Sequence, residues 1–141
     1  MRQPTEHIRV QYSQSARKLL QSFRNSSQAV IDRFFDPAFD EMIRIYKPQK
    51  VILFGSRVWG APGPDSDIDL LIIKKTSKNF VERYGQVRKI FRRYMPIMPM
   101  DIIVLTPEEL KENSERGNDF IRKVMEEGEV LFDGKRRLKK P

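Results

Sequence analysis

The sequence predicts an α+β (mixed α/β) domain, a mixed sheet of about four strands with helices packed on it. Three observations predict it. The short runs KVILF, DIDLLIIKK, MDIIVL and EVLF are apolar and rich in β-branched residues, as buried strands are. The stretches around them carry apolar residues at helical spacing. The connection from Gly55 to Asp67 has no room for a full crossover helix, so the first two strands are expected to be antiparallel neighbours.

The elements follow in order. Residues 1–35 are polar, with apolar positions such as Leu19, Leu20 and Phe23, and are expected to form a helical extension. Asp36 can cap a helix that Pro37 begins, and Phe39, Met42, Ile43 and Tyr46 recur along it until Pro48. The first strand, KVILF, closes at Gly55, and a short helical turn is expected at Arg57 to Trp59. After the second strand, Phe80, Tyr84, Val87, Phe91 and Tyr94 mark an amphipathic helix whose other positions include Arg88, Lys89, Arg92 and Arg93. Pro96 and Pro99 end it before the third strand. Thr106-Pro107-Glu108-Glu109 is a capping-box start for a last helix, packed through Phe120, Val124, Ile121 and Met125 and stopped at Gly128. EVLF then reads as a terminal strand. The expected organisation is an extension (1–35), one domain (36–134) and a basic tail (135–141).

A chain of 141 residues can bury about two-thirds of its unfolded surface, so it needs no staples. It has no cysteine, which excludes disulfides, thiolate catalysis and sulfur-ligated metals. No signal-like run opens the chain, and no apolar stretch approaches the ~20 residues of a membrane helix. A cytoplasmic protein without a membrane partner is expected. The net charge of +8 and pI near 9.9 suit anionic partners, or simply a solvated basic surface.

The chemistry gathers at three places. Gly55-Ser56 directly follows a strand, where glycine admits a close ligand and the serine hydroxyl can donate to phosphate. Alone, such a pair is usually a turn. Asp67 and Asp69 are two apart on the expected second strand and so share a face at its mouth. Crowded carboxylates repel and lose solvation unless a hard cation compensates. Asp101 opens the third strand; beside the second, it would bring a third carboxylate to the same sheet end and complete a two-metal site, with ions roughly 3.5–4 Å apart. His7, the only histidine, lies in the polar extension and is not expected to be catalytic.

Gly55-Ser56, a ten-residue gap and Asp67-Ile68-Asp69, followed by Met100-Asp101-Ile102, resemble the signature of the DNA polymerase beta-type nucleotidyltransferases. The nearest branch in pattern is the minimal nucleotidyltransferases, many of them antitoxins paired with HEPN-domain RNases. The resemblance spans about Phe39 to Phe132 and implies a nucleotidyltransferase-type sheet. It implies that Ser56, with Gly55 and Arg57, meets the triphosphate of ATP or another NTP. It further implies that Asp67, Asp69 and Asp101 bind two Mg²⁺ ions and that Asp101 helps deprotonate the attacking hydroxyl. Two features depart from the pattern: Arg57-Val58-Trp59-Gly60 stands where the family often has Arg-x-Arg-Gly, and residues 1–35 have no counterpart.

The implied reaction is in-line transfer of a nucleoside monophosphate, AMP for preference, to a hydroxyl of a partner protein such as a HEPN toxin. Other acceptors are a small molecule or RNA. A binding-only antitoxin and a basic nucleic-acid binder are the non-enzymatic alternatives. Nucleic acid is not favoured, because the aromatics sit at core spacing instead of alternating with the basic residues.

Overall fold

The computed structural model describes residues 35–60, 67–96 and 99–135. Among them, strands β1 (Lys50–Phe54), β2 (Ile68–Ile73), β3 (Met100–Leu105) and β4 (Glu129–Asp133) form one sheet in the order β3-β2-β1-β4. β1 runs antiparallel to both β2 and β4, while β2 and β3 are parallel. The sheet is mixed, as expected, and its antiparallel first pair agrees with the short Gly55–Asp67 connection. A parallel β2–β3 pair needs a crossover, and a helix, α3 (Phe80–Phe91), supplies it.

Helices cover both sheet faces. On one face Ile68, Leu70 and Ile72 pack with Val51, Leu53, Ile102 and Val104 beneath α1 (Asp36–Tyr46) and α3. On the other, Ile52, Phe54, Leu71, Ile73 and Leu105 pack against Ile121 and Val124 of α5 (Asp119–Glu127). This double burial explains why β2 shows no polar alternation beyond Asp69. Each such Leu or Ile contributes roughly 1.5–3 kcal/mol on burial.

Four local expectations are corrected. Asp36 lies inside the first turn of α1 instead of capping it: Phe35 holds the cap position and makes no side-chain cap bond. Asp36 still places its charge at the favourable end of the helix dipole. Asp67 lies outside β2, which begins at Ile68.

On α3 the buried positions are Arg83, Val87 and Phe91, whereas Phe80 and Tyr84 are exposed. Burial of an arginine is tolerated because its hydrogen bonds are met. Arg83 grips the Glu109 carboxylate with both terminal nitrogens, at 2.6 and 3.0 Å, and donates to the carbonyls of Lys78 and Val104. Asn79 and Glu82 form a capping box at the start of this helix.

The single last helix is in fact two. α4 (Pro107–Glu115) starts at the expected Thr106–Glu109 capping box. Gly117 then takes a left-handed φ of 78° and Asn118 caps α5. This turn swings α5 onto the sheet through Ile121 and Val124, leaving Phe120 exposed.

The amphipathic extension with Leu19, Leu20 and Phe23, His7, the Pro64–Ser66 turn and the tail beyond Lys135 lie outside the described residues. Among the described residues, no helix is long and apolar enough to cross a membrane.

Candidate active site

The site lies where β1 ends and β2 and β3 begin. Phe54, the last residue of β1, is in register with Asp69, and Asp69 is in register with Asp101. In-register neighbours point to the same face, so this row carries one aromatic ring and two carboxylates side by side. That face is the α5 side, because Leu71 and Ile73 follow Asp69 and Ile103 and Leu105 follow Asp101. The parallel pairing of β2 and β3 is what brings Asp101 to Asp69 from far along the chain.

Gly55 turns the chain out of β1 with φ 86° and ψ −157°, a conformation essentially reserved for glycine. A second constraint acts there. A Cβ built on Gly55 would overlap the Asp69 carboxylate, lying 2.9 Å from its Cγ. From Gly55 the chain enters α2 (Ser56–Trp59), a single turn closed by the amides of Val58 and Trp59 on the Gly55 carbonyl. Ser56 is exposed at its start.

Arg57 is only 1% exposed. Its Nε donates to the Asp67 carbonyl at 3.2 Å, tying the loop to the residue before β2. Burial lowers its pKa, and the charges of Asp69 and Asp67 pull the other way. Its position therefore couples it to the aspartates.

Asp67 is exposed, Asp69 half-buried and Asp101 exposed. The Asp69 carboxyl is raised from 3.8 to about 6, first by burial, then by the charges of Asp101 and Asp67, with Arg57 opposing. A carboxyl that resists ionisation among its own kind is a poor structural residue and a suitable ligand for a hard cation. The donor set fits Mg²⁺ chemistry. Its arrangement is not closed, however: among the described residues no three or more His, Cys, Asp or Glu side chains are gathered closely enough here to form a ready metal cluster.

One residue at this face, Lys123, escaped the sequence reading. The Trp59 ring stands 6.2 Å from Phe54, which meets Phe120 edge-on at 5.5 Å. Lys123 of α5 lies with its Nζ 4.3 Å from the centre of the Trp59 ring. No local spacing signals that contact, which depends on where α5 docks.

The family model described as "Polymerase beta, Nucleotidyltransferase" matches residues 40–137, well over half of the chain. Among solved structures, a candidate nucleotidyltransferase from Sulfolobus solfataricus is similar with a TM-score of 0.55 and 20% identity. The match covers 88% of this chain and 92% of that one. At that identity the likeness speaks for the fold alone. No curated protein matches the chain.

Proposed function

This chain belongs to the polymerase beta nucleotidyltransferase family, and from that premise we propose that it transfers a nucleoside monophosphate, AMP from ATP, to a hydroxyl group. The observation that carries the proposal is the register of Asp69 with Asp101 at the sheet end where Gly55-Ser56 leaves β1. Burial first, and the charges of Asp101 and Asp67 next, raise Asp69 to about 6, and a bound cation would relieve that cost.

In the proposed reaction the acceptor oxygen bonds to the α-phosphorus, the bond to the bridging α–β oxygen breaks, and pyrophosphate leaves. The Ser56 hydroxyl, exposed at the start of α2, donates to a phosphate oxygen. Gly55, having no side chain, leaves room for the Asp69 carboxylate to pack against the backbone of the loop. Asp101, exposed beside Asp69, receives the proton of the attacking hydroxyl. Asp67, Asp69 and Asp101 would hold two Mg²⁺ ions, which supply charge neutralisation at the phosphates. Positioning and electrostatics then carry the rate.

The acceptor we favour is a protein hydroxyl, a tyrosine of a HEPN toxin whose modification would silence it, which makes this chain an antitoxin. The resemblance of the Gly-Ser and Asp-x-Asp motifs to that branch supports this choice. A second reading is a binding module, for a partner protein or nucleic acid, in which transfer has lapsed. It is favoured by the lack of a metal-ready cluster among the described residues.

One experiment separates them. The protein is incubated with Mg²⁺, ATP labelled at the α-phosphate and an extract of its source cells, beside an Asp69→Asn control. Label that survives nuclease and yields to protease identifies a protein acceptor. Label in RNA or a small molecule keeps the transferase and changes its substrate. Absence of label with any nucleotide favours the binding module.

A further inference from the structure

We infer that Lys123 is a phosphate-binding cation of this site, held over the phosphate loop by the indole of Trp59. The inference rests on the nucleotide reading above and names a residue that the motif does not contain.

Trp59 closes α2, three residues after Ser56, and two neighbours meet its ring. Phe54 lies against it at 6.2 Å, and the Lys123 ammonium stands 4.3 Å from its centre. The indole N–H has no hydrogen-bond partner among the described residues, so no polar contact sets the ring. Phe54 is the register neighbour of Asp69, and Phe120, one turn before Lys123 on α5, packs edge-on to Phe54. Lys123 therefore stands on the carboxylate face of the sheet, beside the turn that leads out of β1.

The charge balance calls for such a group. The loop's own arginine, Arg57, is buried, and its Nε is engaged with the Asp67 carbonyl. The Asp67, Asp69 and Asp101 side chains all carry acid groups, and a polyphosphate would add more negative charge. Lys123 is exposed and has no carboxylate partner among the described residues. An ammonium on a flexible stem can leave one face of a ring to meet a phosphate, and the ring keeps it close until the ligand arrives. The bland alternative is a lysine stem that merely covers apolar surface.

The test uses the full chain, with Mg²⁺ present and ATP or adenosine as the probe in titration calorimetry. Trp59 is the sole tryptophan, so its fluorescence reports the same site directly. Lys123→Met is expected to weaken ATP binding about tenfold, the scale of one lost charge-assisted hydrogen bond. Adenosine binding should be unchanged, and Lys123→Arg should restore ATP affinity. ATP should also alter Trp59 emission in the wild type and do so less in Lys123→Met. Equal ATP affinity in Lys123→Met and wild type, with both folded by thermal melt, overturns the inference while leaving the nucleotide reading intact. Failure of the wild type to bind any nucleoside triphosphate overturns both.

Discussion

Gly55 and Asp69 touch so closely that any side chain at position 55 would displace the aspartate: an added Cβ would lie 2.9 Å from the Asp69 Cγ and overlap its carboxylate. The φ of 86° at Gly55 would strain any side chain as well. Gly55→Ala is expected to lose about 1–3 kcal/mol from backbone strain alone, with more from displacing the carboxylate. Urea denaturation measures it. An unchanged midpoint would mean that this close approach does not exist in solution.

Asp69 makes stability depend on pH with a definite sign. Its carboxyl is raised from 3.8 to about 6 by burial first and by Asp101 and Asp67 next. The native state thus binds the proton more tightly than the unfolded chain, and this contribution to stability falls as pH rises from about 4 to about 6. In metal-free buffer, Asp69→Asn should be more stable than the wild type at pH 8, and its advantage should vanish towards pH 4. An advantage that grows on acidification would contradict the assignment. Mg²⁺ should raise the melting temperature of the wild type more than that of Asp69→Asn.

The partner across the ladder should control that titration. Asp101→Asn removes one of the charges raising Asp69, so Asp69 should titrate below its wild-type value. It should remain above 3.8, because burial, the largest cause, is untouched. A carboxyl-carbon NMR titration would show it. No movement would mean that the two side chains diverge despite their register.

On the far side of β3, Arg83 and Glu109 form the strongest ion pair among the described residues by geometry, at 2.6 Å. Arg83→Met should cost about 2 kcal/mol, less than the roughly 3–5 of a fully buried pair, because Glu109 keeps some solvent contact. Denaturant unfolding reads this directly. The Glu109 carboxyl is held below 4.5, chiefly by the hydrogen bond from Arg83. Its stabilising contribution is complete above 4.5 and is lost as pH falls through the lowered value. Arg83→Met should therefore flatten the acid limb of the stability profile, and an unaltered limb would refute the pair's role there.

Much of the fold can be read locally. The four apolar runs became the four strands of the sheet, and the Thr106–Glu109 box became a helix start with both reciprocal bonds. These signals lie within a few neighbouring residues, where spacing and capping chemistry act. The helix faces were harder to read. Phe80 and Tyr84 look like core by type, yet Arg83 takes the buried place because Glu109 waits 26 residues further on. Hydrophobicity could not announce a partner at that distance. The break at Gly117 was missed for a related reason: an isolated glycine costs a helix only about 1 kcal/mol, so it ends one only where docking requires a turn.

The same division runs through the site. Gly55, Ser56, Asp67, Asp69 and Asp101 stand out in the linear sequence because residue type and strand-end position are local properties. Their relations arise from long-range pairing. The parallel β2–β3 ladder sets Asp101 against Asp69, the tight turn presses Gly55 onto that carboxylate, and the Arg57 side chain folds under the loop. The docking of α5 brings Lys123 over Trp59. A list of residues can supply the chemical groups, but burial and charge proximity depend on distances through space, and those exist only once the sheet has closed around them.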